Sequence, residues 1–534
     1  MNILGVHVGH DASIALVKDG RLVTALTSER LSRVKKHRIL SAELVDYVLS
    51  ENGLTIEDID IVTFADYDQD LVFDTKFKLY VDGELVRKRD QSYFFNDVKK
   101  AEASILGKKM DAYILPHHLA HAASAFYTSS FDKSWAFTMD ASGGNIRSNS
   151  LIAYGEGNKL TAVSCPGLMV GHLYSSACYL SGIGEANFKA GSLMGMASYL
   201  PPSESVVKNI KELIAKTIFD LDADYYDYSL VEHELWERLS GTSAVLNAAN
   251  NLTSVELQAA SNVQYLFEEA ILHVINSSIE KNGVDNLVLA GGSFLNCNVN
   301  SRIKKETRFN NLHLFPGCTD DGNAVGAALY VAHHILDFPR QTYKPQDIAY
   351  LGRSYTDKTP DYKRLAKEIA NGKIVAWFMG KSEFGPRALC NRSLLADPRQ
   401  YHTREVINFL IKKREWFRPF APVVMEEHCS EWFDWEGPSP FMLFTATVKK
   451  PELIPAVTHV DNTARMQTVT EDSNLHMYNL LKEYKELTGI PLLLNTSLNG
   501  PGEPIVESSQ NVMTFFRNNP LVDILVLNGE VFVK

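Results

Sequence analysis

The chain has 534 residues, 45% hydrophobic and 22% charged, with a formal net charge of -11. At roughly 150 residues per domain this describes a soluble folded protein of two to four units; it excludes a disordered chain or a fibrous repeat and disfavours general nucleic-acid binding, though a local basic cleft can sit in an acidic whole. Six scattered cysteines without a C-x-x-C pair, no run of 18 apolar residues, and a start (MNILGVHVGHDASIALVKDG) without the regions of a signal peptide predict a cytoplasmic protein with free thiols, neither spanning nor bound to a membrane.

Apolar runs at 3–8, 13–17 and 22–26, separated by Gly- and Asp-rich turns, predict a strand meander, and a helix follows at 41–50, opened by Ser41 with Glu43 close behind. The stretch 151–250 is less legible. From 254 to 281 apolar residues recur at helical spacing and predict the longest helix, which leads into the strand NLVLA and its AGG turn at 290–292. The same order of strand, small-residue turn and helix recurs at FTMDASGG and GCTDDGNAVGAALYVA, so several strand ends converge on one cleft of an α/β domain. The Pro- and Gly-bearing segment 338–357 reads as a linker, with a domain boundary near residue 347. Beyond it, strands are expected at 374–380, 441–448, 491–495 and 521–527, and helices at 361–370, 403–411 and 475–488.

In PHHLAHAASAF, His117 and His121 stand four residues apart, on one face if the segment is helical. With Asp140 in MDASGG and an acid from CTDDGNA they complete a His/His/Asp/Asp set, which suits Fe, Mn or Zn better than Ca or Mg. A lone buried histidine is more often a satisfied core residue; three in five residues, backed by acids on other strand ends, favour the metal. His118 lies off the shared face. Asp11 in GHDASIAL and the AGG turn mark further strand ends, where backbone N–H groups can hold anionic oxygen. Such turns also occur without a ligand. In the second domain, KSEFGPRALCNRSLLADPR and IKKREWFRPFAP interleave Lys412 and Arg418 with aromatic and proline residues, unlike a solvated basic face and suited to phosphate recognition. TARMQTV (Arg465, Gln467) and LLLNTSLNGPGEPIV (Asn495, Thr496, Ser497) add polar groups at strand ends. No P-loop, G-x-G-x-x-G or Ser/His/Asp order is present.

These motifs, from GHDAS, SERLSRVKKHR and HHLAHAASAF through MDASGG, GGSFLNC and TDDGNAVGAAL to EFGPRALCNRSLLADPR, REWFRPFAPVV, ARMQTV and NTSLNGPGEPIV, resemble the NodU-type O-carbamoyltransferases over nearly the whole chain. The resemblance implies an α/β protein. A two-lobed sugar-kinase/actin-like ATPase-fold domain (1–347), close to the tRNA threonylcarbamoyl transferases, would be followed by a YrdC-like carbamoyl adenylate-forming domain (348–534). It implies that carbamoyl phosphate and ATP give carbamoyl adenylate, and that the carbamoyl group passes to a hydroxyl acceptor. By residue, Lys412, Arg418, Arg465, Asn495 and Ser497 would hold carbamoyl phosphate, and Gly143, Gly144, Gly291, Gly292 and Asn296 the nucleotide, with Arg387 close to the adenylate. His117, His121, Asp140 and Asp320 would ligate a divalent metal, Fe2+ foremost with Mg2+ or Mn2+ as alternatives, and Asp321 is the alternative for the last position. His10, Asp11 and Lys36 fall in matching motifs as catalytic candidates. Ser192, in NFKAGSLMGMA, stands where such proteins carry a lysine. The acceptor's contacts are expected from 151–250, and a homodimer is allowed but not fixed. A tRNA threonylcarbamoyl-adenosine type enzyme and a non-catalytic nucleotide-binding scaffold are the alternatives; the acidic net charge disfavours the first.

Overall fold

A computed structural model describes residues 1–65, 77–86, 97–141, 149–218, 228–249, 251–355 and 358–534. Gly143 and Gly144 lie outside the described residues.

The N-terminal half contains two mixed sheets. In the first, strands β1 (Asn2–His7), β2 (Ser13–Lys18) and β3 (Arg21–Thr27) form an antiparallel meander. β4 (Ile61–Phe64) and β8 (Lys108–Ile114) extend it in parallel, and β7 (Lys99–Ile105), β5 (Lys78–Val81) and β6 (Glu84–Val86) complete the order β3-β2-β1-β4-β8-β7-β5-β6. The second sheet repeats that core: β9 (Lys133–Met139), β10 (Ser150–Glu156) and β11 (Lys159–Ser164) form the meander, and β12 (Asn286–Ala290) and β13 (Asn311–Leu314) add in parallel, in the order β11-β10-β9-β12-β13. This duplicated topology is the two-lobed arrangement that the sequence leads one to expect. β1, β4, β9 and β12 are buried almost throughout, as parallel strands covered on both faces require.

Two helices join the sheets crosswise. His117–Thr128 leaves the first sheet after β8 and packs on β9, β10 and β12, whereas Asn323–Tyr330 leaves the second after β13 and packs on β1 and β2. Their closest approach is at Gly326, where a Cβ would come 1.8 Å from the Ala120 carbonyl oxygen, so a side chain there would push the helices apart. All twelve residues of His117–Thr128 are buried, which explains its alanine-rich sequence and brings its histidines into the interior. The helix expected at 41–50 is Ala42–Ser50, with Ser41 accepting the Leu44 N–H, and the longest helix is Ser254–Ser278, opened by a Thr253/Glu256 capping box.

The third sheet runs β19 (Gln467–Val469), β16 (Ala421–Met425), β20 (Leu492–Ser497), β15 (Arg392–Ala396), β14 (Val375–Phe378), β21 (Ile524–Leu527), β22 (Glu530–Val533). Helices Tyr362–Ala370 and Leu475–Thr488 pack on one another beside it. The helix expected at 403–411 is an α-turn, Tyr401–Glu405, that widens into a π-helix, Val406–Ile411.

The strand expected at 441–448 does not form: only β17 (Ala446–Thr447) does, paired with β18 (Thr463–Ala464). Met442 takes a left-handed φ of 55°. The backbone of this segment is held by N-terminal side chains instead, since Asn300 Nδ2 donates to Leu443 O, Ser301 Oγ donates to Thr445 O, and Thr445 N–H donates to Ser301 Oγ. Phe441, Met442 and Leu443 accordingly join the N-terminal core. Two central strands, β15 and β16, carry too little sequence pattern to be foreseen. β15 opens on a buried arginine, Arg392, whose guanidinium donates to the carbonyls of Met379, Gly380 and Asn391 and lies 3.6 Å over the Phe378 ring.

Candidate active site

The carboxyl ends of β1, β9 and β12 and the loop after β13 meet at one point, the usual place for a site in such sheets. Asp140 follows β9 directly, Asp320 opens a 3-10 turn after β13, and His117 and His121 occupy one face of their helix. These four residues each offer one atom to a cluster whose members lie within 4.8 Å of one another. The two Nε2 atoms are 3.1 Å apart; Asp140 Oδ2 is 2.9 Å from His121 Nε2 and 3.5 Å from His117 Nε2, and Asp320 Oδ1 is 3.3 Å from both. Ligand bonds of about 2.1 Å give donor separations of about 3.0–3.4 Å for octahedral or tetrahedral geometry, so the spacing fits a first-row divalent ion. Asp140 Oδ2 is buried and faces both imidazoles, as a ligating atom would. Asp320, not Asp321, enters the quartet. Asp321 is turned away, with its Oδ1 accepting from Thr319 Oγ1, and burial together with Asp11 pushes its carboxyl up to about 7.

The AGG turn serves this centre. Gly291 sits at φ 100° and donates its N–H to Cys318 O, while the Gly292 N–H donates to Asp140 Oδ1. The anionic oxygen held by that turn is thus the carboxylate of Asp140. Asn296 caps helix Cys297–Glu306 and exchanges amide hydrogen bonds with Gln264. His118 lies off the cluster with Nδ1 2.9 Å from Thr138 Oγ1, and Asn323 Nδ2 approaches both ligand histidines. Burial pushes the Asp140 and Asp320 carboxyls up, but the neighbouring imidazoles outweigh it and hold both below the usual carboxylate range.

The quartet opens on a cavity of about 830 Å³. His10, Asp11 and Lys36 line it beside Asp140 and Asp320. Lys36 Nζ is 2.9 Å from Asp11 Oδ2, and His10 Nδ1 stands 3.4 Å from both Asp11 and Asp320. Asp11 and Lys36 both adopt left-handed φ, 64° and 54°, a conformation non-glycine residues keep only where their surroundings enforce it.

A second cavity of about 570 Å³ lies between the C-terminal half and the N-terminal helices Ala186–Ala197 and Cys297–Glu306. Lys35, Arg387, Lys412, Arg414, Arg418 and Arg465 line it, with Asn495 and Ser497; among the described residues Glu415 is its one carboxylate. Lys189 already binds Glu415, and Arg418 stays 3.8 Å from it. Arg418 Nη1 instead donates to Ser192 Oγ at 2.8 Å, which gives the residue in the lysine's place a structural partner. Lys412 Nζ donates to Ser497 Oγ and Asn499 O, and Asn495 Nδ2 donates to Gln467 Oε1. Asn495 Oδ1 and the Nε atoms of Arg387 and Arg465 are buried without a partner. Burial, with Arg414 and Lys35 close by, holds the Lys412 amine well below its ordinary value; burial and Arg465 lower the Arg387 guanidinium to about 9. So many neighbouring cations with one shared carboxylate suit a multivalent anion. Lys35 and Arg414 could not be singled out in the sequence, because each sits inside a basic run whose members look alike there.

Lys35, Arg387, Arg418 and Ser497 belong to the walls of both cavities, so the two chambers adjoin. Four donors spaced for a divalent ion beside a cavity rich in cations suit the chemistry of group transfer. The family model for the carbamoyltransferase N-terminus matches residues 2–329, and that for the carbamoyltransferase C-terminus matches residues 366–534. The chain belongs to the carbamoyltransferase family. It is 33% identical to an uncharacterized Synechocystis protein over all of this chain and 97% of that one, and 31% identical to the nodulation protein NolNO of Sinorhizobium fredii over 98% and 79%. With the 3'-hydroxymethylcephem-O-carbamoyltransferase of Amycolatopsis lactamdurans it shares 27% identity over 98% of each chain. Among solved structures it is similar to HypF of T. kodakarensis, at 14% identity and a TM-score of 0.32 over 65% of this chain and 49% of that one, a likeness too slight to build on. Among the described residues no helix is long and apolar enough to cross a membrane.

Proposed function

We propose that the protein is an ATP-dependent O-carbamoyltransferase, divided near residue 347. The C-terminal part would convert carbamoyl phosphate, ATP and one water into carbamoyl adenylate, with release of phosphate and pyrophosphate. The N-terminal part would pass the carbamoyl group to a hydroxyl of a small-molecule or glycan acceptor, releasing AMP. The observation that carries this reading is the shared wall: an anion receptor and a cation centre adjoin through Arg387, Arg418, Lys35 and Ser497, so an activated intermediate need not cross bulk water.

Carbamoyl phosphate is held by Lys412, Arg418, Arg465, Asn495 and Ser497, with Arg387 at the adenylate on the side facing the larger cavity. Gly292 and Asn296 stand on the nucleotide's side of that cavity. Fixed guanidinium groups bind phosphate oxygens without reorganising as charge moves, which favours the transition state. Adenylation gives the carbamoyl carbon a good leaving group. His117, His121, Asp140 and Asp320 would hold the divalent ion, Fe2+ foremost, and such an ion supplies Lewis-acid polarisation of a carbonyl or phosphoryl oxygen. Two imidazoles among four donors favour Fe2+ or Mn2+ over Mg2+. Gly292 fixes Asp140 through its N–H, and Lys36 and His10 hold Asp11 at the edge of the same chamber.

Incubation with carbamoyl phosphate, ATP and Fe2+ should release pyrophosphate in a carbamoyl phosphate-dependent manner. Absence of both that release and ATP-dependent consumption of carbamoyl phosphate refutes the reading. Metal-stripped protein should still form the adenylate and fail in transfer.

A further inference from the structure

The larger cavity has one wall to which none of the recognisable motifs contributes. Helix Val170–Leu180 begins against the cation centre, where a Cβ on Gly171 would lie 2.4 Å from the Asp140 carbonyl oxygen. The next residue, His172, lines the cavity and meets Glu232, which comes from helix Tyr228–Ser240, with Nδ1 3.3 Å from Oε2. The His172 side chain is 29% exposed although its Nδ1 is buried, so the edge of the ring that carries Nε2 is the part open to the cavity. The Glu232 carboxylate raises the imidazole above its ordinary value. His10, the other histidine lining this chamber, has its Nδ1 against the Asp11 and Asp320 carboxylates. Tyr174 and Phe267, nearly buried with ring centroids 4.9 Å apart, back the same cavity, and Tyr179 adds an exposed ring on which an acceptor's carbon skeleton can lie. An imidazole with one nitrogen facing a carboxylate at ion-pair distance and its other edge open is an arrangement that can activate a hydroxyl nucleophile.

We propose that His172, oriented by Glu232, takes the proton of the acceptor hydroxyl during carbamoyl transfer, an inference that rests on the carbamoyl adenylate reading above. In that step the acceptor oxygen bonds to the carbamoyl carbon, and the bond from that carbon to the adenylate phosphate oxygen breaks with its electron pair leaving on AMP. The hydroxyl proton moves to His172 Nε2. Glu232 stabilises the resulting imidazolium, which returns its proton to solvent once the products leave. The base that serves the acceptor thus comes from the stretch between residues 151 and 250, outside the motifs that build the cation centre.

The test uses nucleophiles that are not the natural acceptor. The full-length metal-loaded protein receives carbamoyl phosphate, ATP and either glycerol or hydroxylamine, and the carbamoylated glycerol, the hydrolysed adenylate and N-hydroxyurea are quantified. Hydroxylamine attacks without a base, whereas glycerol and water need one. The ratio of hydroxyl transfer to hydroxylamine transfer should fall about 100-fold or more in His172→Gln and by a smaller factor in Glu232→Gln. Added imidazole should restore part of it in His172→Gly, which a purely structural role would not allow. A ratio within about twofold of the wild type in the folded variants, or a wild type that serves hydroxylamine alone, overturns the assignment. If His172→Gln does not fold, the same ratio measured in Glu232→Gln decides the matter. A wild type that forms neither N-hydroxyurea nor any hydroxyl product overturns the carbamoyl adenylate reading, and this inference with it.

Discussion

Replacing Arg387 by Met should stabilise the ligand-free protein and weaken its response to phosphate ligands. Burial and the neighbouring Arg465 lower its guanidinium from the ordinary 12.5 to about 9, so the folded state disfavours the charge it must carry at neutral pH. That difference corresponds to roughly 5 kcal/mol. The side chain is only partly buried. Water in the cavity screens the repulsion, and about 2–3 kcal/mol is the expected net effect. A base whose value is lower in the folded than in the unfolded state costs stability in full below about 9, and the cost fades between about 9 and 12.5; a melt at pH 7.5 therefore sees all of it. For a unit of this size the variant should melt roughly 4–10 °C higher without ligand. Millimolar carbamoyl phosphate should raise the melting temperature of the wild type, because a ligand that binds only the folded state adds its binding energy, and should do so much less in the variant. The reasoning fails if the ligand-free variant melts at or below the wild type, or if the wild type ignores the anion.

His121→Ala removes one of four donors, and Co2+ or Fe2+ affinity, measured by equilibrium dialysis, should fall by at least about 100-fold; unchanged affinity would place the ion elsewhere. Gly292→Ala brings a Cβ 2.8 Å from Asp140 Oδ1 and displaces the N–H that orients it, so metal affinity should drop about 10- to 100-fold even though no ligand is changed. Gly326→Ala forces a Cβ to within 1.8 Å of the Ala120 carbonyl oxygen at the crossing of the two central helices, and should cost about 3 kcal/mol or more, visible as a lower melting temperature or insolubility. A variant with wild-type stability would show that those helices do not meet there.

What the sequence makes legible is what repeats locally. The spacing of His117 and His121 puts two imidazoles on one helical face whatever surrounds them, and the capped helices at Ser41, Thr253 and Asn474 carry their own start signals. What it hides depends on contacts between distant segments. The choice of Asp320 over Asp321 rests on how a 3-10 turn is wound after β13, and neighbouring aspartates look alike until Thr319 claims one of them. Phe441–Leu443 has the composition of a strand, yet Asn300 and Ser301 take the hydrogen bonds a ladder would need. The AGG turn reads as an anion-binding loop, and in the structure the Gly292 N–H donates to a carboxylate of the protein itself, while the Gly291 N–H goes to the Cys318 carbonyl. Arg414 shows the same limit among the cations: it is indistinguishable from Lys413 in sequence, yet it lies 4.7 Å over the Phe420 ring and donates to Asn408 Oδ1, which fix it beside the cavity. The cations of that cavity and the carboxylates of the cation centre are charges of opposite sign that would neutralise one another if they met. Through Lys36 holding Asp11 and Gly292 holding Asp140, the fold keeps the acids turned toward their own partners, and in the cation-lined cavity Arg387 and Arg465 each keep a buried Nε without one.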